Sequence, residues 1–463
     1  MRTQLSFDMF GEDEEKKSSI HSTSRSASQF PAQFINDVNS FLAYCSDTSI
    51  SLTKTTQTLS RKHLQQVNDI LSVKAESVNT YSSQEFYPYI NFIFQILLAG
   101  RLVDIHSNRK NLILGDSDRL TSFKEFTTSE KYCFLLETFW VDMDWDDLLF
   151  SNTNQVTTAH APVFTALYTS EENKKWNIVN PKTATGELLS LETQSWHHFF
   201  QYFEWFGLWI CESDTERMKT YYRKNSYFAK NIAVTTLGKQ MMPILLIDRS
   251  LHLWNISLRK LFGSSDWIPG KPDDYIRNYG LTAKDAEKLE LVFSEDQSMQ
   301  PFYLPFVPLF AEGTLTKTLP RIQNSFQNGA YTLRVNYTKT IWRKIKLPAT
   351  ATMEDVHYEI LDAYQFDDDH LYSFFTDGKK WSKHCIASPN DTFTLSHASN
   401  IQLGSIGMKK NEPLLYLYDY GDEWTFTVVL EEIDEQHTQY FEPYLIEAEG
   451  ESPQQYFYEE DEW

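Results

Sequence analysis

One pattern occurs twice in this 463-residue sequence: an apolar helix, a glycine, a short strand, a polar tip and a returning strand. In the first copy "YINFIFQILLAG" runs to Gly100, "RLVDI" follows, "HSNRKN" turns the chain and "LILG" returns. In the second, "SWHHFFQYFEWFG" runs to Gly207, "LWICES" follows, and "NIAVTTLGKQMMPILL" returns after a long polar excursion. A glycine just past a helix accepts the left-handed conformation that turns the chain directly into a strand. Upstream, "QFINDVNSFLAY" places Phe34, Val38, Phe41 and Leu42 on one helical face. "TLSRKHLQQVNDIL" predicts a second helix, capped by Ser60, with Leu64, Val67, Ile70 and Leu71 facing inward.

That order resembles the last helix and wing of winged-helix domains, over roughly residues 50–250. "VTTLGKQM" (234–241) is similar to a second wing strand leading into a helix. A winged helix that reads DNA should carry a basic helix before its wing, yet neither "YINFIFQILLAG" nor "SWHHFFQYFEWFG" contains a lysine or arginine. Basic residues gather instead at the tips: Arg109 and Lys110 in the first copy, Arg223 and Lys224 in the second. These four are the candidate phosphate contacts, whereas major-groove readout by the helices is not expected. The bland reading is that the modules pack against protein. Between them, "DMDWDDLLF" (142–150) reads as a helix end with a solvated acidic side, and "WHHFF" lacks the spacing of a helical metal pair.

The charge is unevenly spread. From Asn411 to Trp463 there are 16 Asp and Glu and no Lys or Arg. Of the 63 acids, 47 therefore stand against all 42 basic residues in the first 410 positions, leaving −5 of the total −21 there. The acidic end repels phosphate backbones, and the near-neutral body does not. Cys45, Cys133, Cys211 and Cys385 are scattered singly, with no zinc spacing, as expected of a reducing compartment. No apolar run reaches the roughly 18 residues of a membrane span. The first 30 residues place acids where a secretory leader needs an apolar core. Cytoplasmic residence without membrane contact is the expectation.

From Tyr331 the periodicity changes to that of strands. "YTLRVNY" and "TIWRKIKL" alternate, Pro348 ends the second, and "TMEDVHYEILDAY" opens a helix with Thr352 as N-cap and Asp355 three residues on. Val356, Ile360 and Tyr364 form its inner stripe, and "HLYSFF" returns as a strand. This predicts a mixed sheet with one packed helix, β-grasp-like in outline. Three separated stretches, "IWRKIKLPATATMEDVHYEILDAYQFDDDHLYSFF", "LLYLYDYGDEWTFTVVLEE" and "PYLIEAEGESPQQY", resemble the plasmid open-reading-frame-three family first described from an Ri plasmid, whose members are also called insertion-element passenger proteins. The family's Trp-Arg pair falls on Trp342 and Arg343, its two histidines on His357 and His370, and its Asp-aromatic-Gly-Asp-x-Trp turn on Asp419 to Trp424. The resemblance implies a fold and a plasmid or mobile-element association, without an activity. Where the family often has two further histidines, this sequence has Tyr372 and Phe426.

Two readings of the 419–424 turn follow. In the architectural one, Asp419 and Asp422 cap a hairpin, Gly421 supplies a positive φ, Trp424 covers the sheet and Trp342 stacks on Arg343. In the chemical one, His357, His370, Asp419 and Asp422 converge as a general acid/base or metal site. The architectural reading is preferred.

The sequence thus predicts a multidomain α+β protein. Its parts are a flexible leader (1–30), a helical winged-helix-like unit (31–150), a second such unit (151–264), a proline-rich connector with one helix (265–330) and the α+β domain (331–463). Neither nucleotide-loop nor nucleophile-elbow motifs occur, and no cofactor or metal is called for. The expected role is a non-catalytic binding or adaptor protein whose acidic, aromatic C-terminus meets a protein partner. The alternatives are a DNA-associated regulator using the wing tips and a metal-dependent enzyme.

Overall fold

The computed structural model describes residues 31–456 apart from 55, 76–77, 107–109, 146–147, 149–154, 194–195, 197, 222–225, 262–267, 273–296, 322–325, 383, 392–395 and 411–412. The leader, the helix expected at 282–294, Arg109, His197, Arg223, Lys224 and residues 457–463 lie outside that set. The chain divides into a first unit that runs to Leu258 and takes in the stretch ending at Pro320, and a second made chiefly of the chain from Arg321 onward.

In the first unit the repeated pattern becomes two modules of the same element order. The first is α1 (Ala32–Asp47), β1 (Ile50–Ser51), α2 (Arg61–Ile70), α3 (Pro88–Ala99), β2 (Val103–Ile105) and β3 (Asn111–Leu114), with strand order β1-β3-β2. Two helices follow, α4 (Ser117–Glu125) and α5 (Thr128–Glu137), the latter started by a capping box between Thr127 and Glu130. The second module runs α6 (Gln155–Thr169), β4 (Trp176–Asn177), α7 (Ala184–Glu192), α8 (Phe199–Trp205), β5 (Trp209–Ser213), α9 (Thr215–Thr220) in the wing, and β6 (Ala229–Val234). Its strand order is β4-β6-β5, the same as in the first. Each has the element order helix, strand, helix, helix, hairpin.

The face predicted for α1 is buried at all four positions. On α2 the prediction holds for Leu64, Val67 and Leu71, but Ile70 is 46% exposed because the helix ends there and the side chain turns off the inner face. Gly207 takes φ +76°, as the pattern requires. Gly100 does not: it stays right-handed at the end of α3 and Arg101 takes φ 56° instead. Crowding accounts for the glycine, since a Cβ at 100 would meet the Phe134 ring at 3.1 Å. After β6, Thr235 caps α10 (Thr236–Pro243), and Gly238 approaches Leu208 so closely that a Cβ would lie 1.8 Å from its carbonyl oxygen. Residues 314–318, expected in the connector, pack into this unit: the Thr316 hydroxyl donates to Glu130 at 2.7 Å and that of Thr318 to Glu137 at 2.9 Å.

The second unit is one seven-stranded sheet and one long helix. Its strands are β7 (Ala330–Asn336), β8 (Trp342–Pro348), β9 (Tyr372–Phe375), β10 (Cys385–Ala387), β11 (Pro413–Tyr418), β12 (Trp424–Asp434) and β13 (Tyr444–Glu449), and its helix is α11 (Met353–Tyr364). The order is β10-β9-β11-β12-β7-β8-β13, and every neighbouring pair is antiparallel. The mixed sheet expected from the sequence is corrected by that ladder. α11 carries the chain from β8 to β9, but β7, β12 and β11 lie between them, so the crossover creates no parallel neighbours. The capping box of Thr352 and Asp355 forms as predicted. Val356, Ile360 and Tyr364 are buried against Leu333, Val335, Ile345, Phe374, Tyr416 and Phe426 of the sheet.

Candidate functional site

The capping box fixes where α11 starts, and this sets His357 on its inner face. His357 is 1% exposed. Its Nδ1 lies 2.7 Å from the Tyr416 hydroxyl and its Nε2 3.1 Å from an Asp368 carboxylate oxygen. The ring stacks on Tyr372 with centroids 3.6 Å apart and planes within 9°. Burial pushes this imidazole down to about 4, against the opposing pull of Asp368. At neutral pH it is uncharged, so Tyr416 donates to Nδ1 and Nε2–H donates to Asp368. Tyr416 is wholly buried, and burial drives its phenol well above the usual range. The chain of Tyr416, His357 and Asp368 therefore resembles a relay in bonding but ends in a hydroxyl that no substrate reaches.

His370 sits apart. Its Nε2 is 3.4 Å from Asp419 and 3.6 Å from Asp369, with the side chain 40% exposed. The His357 and His370 rings each lie about 6 Å from the Tyr418 ring (6.0 and 6.2 Å between centroids). The Tyr418 hydroxyl accepts from the backbone N–H of Asp369 and His370, and Tyr456 donates to Asp369 at 2.6 Å. The 367–370 loop is thus laced to the sheet and to the returning C-terminal segment.

Asp419 answers the question of the turn. One of its carboxylate oxygens accepts from Gly421 N–H at 2.8 Å, and its own carbonyl accepts from Glu423 N–H at 2.7 Å. The positive φ expected of Gly421 falls instead on Asp419 (54°) and Glu423 (55°). An Asx side chain bonded two residues on tolerates that conformation, so the turn does not need the glycine for it. Asp422 is exposed. Among the described residues, no three His, Cys, Asp or Glu side chains gather in a way that could hold a metal ion. The four residues of the chemical reading thus resolve into one pair, His370 with Asp419, a separate buried His357, and an outlying Asp422.

The Trp342–Arg343 stack does not form. Successive strand residues point to opposite faces, so neighbours on β8 cannot stack on each other. Trp342 instead carries the Arg334 guanidinium 4.1 Å above its ring. Arg343 is 4% exposed and lies 4.6 Å from the Tyr364 ring. It donates to the carbonyls of Ala363 (2.8 Å), Trp342 (2.9 Å), Glu449 (3.0 Å) and Gly450 (3.2 Å) and to the Ser452 hydroxyl (2.6 Å). It ties the C-terminal end of β13 to the end of α11. Trp424 packs on Phe366 and Tyr337, covering the sheet as expected. Tyr372 and Phe426, the two departures from the family pattern, are both buried: one lies under His357 and the other is 4.8 Å from Tyr364. Asp368 and Tyr416 escaped the sequence reading, although "DDDH" after the helix was an available signal for Asp368.

In the first unit Lys110 is exposed and its carbonyl accepts from Leu52 N–H at 2.7 Å. The helices before the two wings are packed against each other: Phe92 of α3 stacks on Tyr202 of α8 at 4.6 Å and 11°, and Tyr89 lies 4.6 Å from Trp205. Apolar all round, α3 buries Tyr89, Phe92, Ile93, Phe94, Ile96 and Leu97. The apolar faces of both helices are consumed as core.

No curated protein matches the chain. Among solved structures, it is similar to the protein of unknown function MM3350 from Methanosarcina mazei Go1, at 25% identity over 27% of this chain and 72% of that one, with a TM-score of 0.24. Residues 330–456 match the family described as plasmid pRiA4b ORF-3-like protein, so the sheet-and-helix unit built around His357 and Arg343 is the part of the chain that is similar to that family.

Proposed function

We propose that this chain is a non-catalytic binding or adaptor protein that meets a protein partner along the acidic, aromatic edge of its sheet-and-helix unit. The observation that carries the reading is β13. All six of its residues are exposed, with Tyr444, Leu445 and Ile446 consecutive at 48%, 42% and 45%, and Tyr440 just upstream at 66%. Apolar side chains left exposed on both faces of an edge strand that is rimmed by charge are a mark of interaction sites. The segment is also held in place by Arg343, so a partner would meet a preformed surface and spare the cost of ordering it. His357 favours the same reading, because it is buried and both ring nitrogens are committed, one to Tyr416 in the core and one to the exposed carboxylate of Asp368. A plasmid or mobile-element setting is what the family's description suggests for the chain.

The test compares full-length protein with a variant carrying Tyr440→Ser, Tyr444→Ser, Leu445→Ser and Ile446→Ser. These positions are exposed, so each change should move stability by no more than about 0.5 kcal/mol. Both proteins are immobilised and exposed to the same host extract. Proteins retained by the native surface and lost from the variant are the expected result. Identical retention by both would remove the proposal.

A further inference from the structure

We infer that β13 receives its partner by strand addition, and that the partner segment is an extended run alternating basic and apolar residues. This rests on the binding role just proposed and specifies its chemistry.

β13 is the last strand of the sheet, paired with β8 on one side and with no strand on the other among the described residues. Pro443 precedes it and Pro453 follows, so the edge is a short window bounded by residues that cannot donate to a ladder. Side chains of a strand stand above and below the sheet rather than sideways, so a strand on the open side would meet the same side chains that β8 already meets. The fold therefore contains its own template for the partner. β8 alternates Lys344 and Lys346 with Ile345 and Leu347; Tyr444 lies opposite Lys346, and Lys344 reaches Glu447 at 3.2 Å.

Charge selects the same occupant. Glu442, Glu447, Glu449 and Glu451 flank the exposed apolar side chains, in a segment of 53 residues (411–463) without Lys or Arg. A parallel second copy of β13 would set Glu447 and Glu449 against their own counterparts, and an antiparallel one would still bring together two segments that carry glutamates and no Lys or Arg. The register slip between Leu445 and Glu447 adds a bulge, a common device against indiscriminate edge pairing. A basic strand is attracted to these glutamates, an acidic one is repelled, and a neutral one gains nothing from them.

The experiment uses the full-length chain and three fluorescent ten-residue peptides: one alternating lysine and valine, one alternating glutamate and valine, and the lysine–valine peptide N-methylated at alternate backbone nitrogens. Binding is read by anisotropy at low and high salt, and by hydrogen exchange of residues 444–449. The lysine–valine peptide should bind, protect those amides, and weaken at least about tenfold at high salt as screening removes the charge pairing. Glu447→Gln with Glu449→Gln should weaken it about 3- to 10-fold. Equal binding of the glutamate–valine peptide would overturn the charge argument, and equal binding of the N-methylated peptide would overturn strand addition. If no peptide binds while the serine variant above still loses its partners, strand addition fails and the broader binding role survives. If the serine variant loses nothing either, both fail.

Discussion

Arg343→Met tests whether the open edge is built by a buried guanidinium. The substitution keeps an unbranched apolar stem, shorter than arginine's by the guanidinium, and removes all five of its hydrogen bonds. The acceptors on Glu449, Gly450 and Ser452 lie on the exposed C-terminal segment and recover water. Those of Ala363 and Trp342 lie at the helix end and inside the sheet, and each unsatisfied acceptor costs about 1–3 kcal/mol. Loss of the cation above Tyr364 adds about 1 kcal/mol. Relief of the desolvated charge offsets part of this, leaving about 3 kcal/mol. Because the bonds converge on the end of β13, the loss should appear first as local opening of that strand. Hydrogen exchange by mass spectrometry should show amides of 444–449 exchanging about 100-fold faster while β11 and β12 keep their protection. Arg343→Lys, which keeps the charge but not the planar fork, should recover little. Unchanged exchange at 444–449 in the methionine variant would refute the assignment of Arg343 as the tie.

The other predictions concern the core and the turn. His357 is held near 4 when folded and has an ordinary value near 6.5 when unfolded, so the unfolded chain binds more protons between those limits. Stability is full above about pH 6.5 and falls as pH drops toward 4, by about 2–3 kcal/mol from this group; His357→Gln should flatten that part of a pH series of urea melts. Gly238→Ala forces a Cβ into the Leu208 carbonyl, and should destabilise the first unit by more than about 2 kcal/mol in denaturant unfolding. His370→Ala removes a half-exposed pair with Asp419 and should cost no more than about 1 kcal/mol in the same assay.

The turn at 419–424 shows where sequence reading stops. Asp, Gly and Asp between alternating runs identify a hairpin, because the Asx cap and the turn are local. Which residue takes the positive φ was not legible: Asp419 accepts from Gly421 N–H through its side chain and from Glu423 N–H through its carbonyl, and the positive φ falls on Asp419 and Glu423. His357 and His370 lie 13 positions apart and each is followed within the loop or sheet by carboxylates, which is why both reading as ligands and reading as structure were open. Their different partners, Tyr416 for one and Asp419 for the other, depend on a strand and turn supplied much later in the chain. Likewise, the absence of basic residues from α3 and α8 was visible, but their mutual stacking was not.

The sequence by itself determined the elements whose causes are local: the twofold helix–hairpin pattern, the capping box at Thr352, the inner stripe of α11, the hairpin at 419–424 and the confinement of negative charge to the end. Periodicity, capping and charge are properties of neighbours along the chain. Only the tertiary structure decided that the sheet is antiparallel throughout, that Arg343 spends its donors on the last strand, that the two histidines part, and that Tyr444 to Ile446 stand open at an edge. Those outcomes depend on which distant segments become neighbours, and the pairing of β8 with β13 or Tyr416 with His357 leaves no mark in either segment alone.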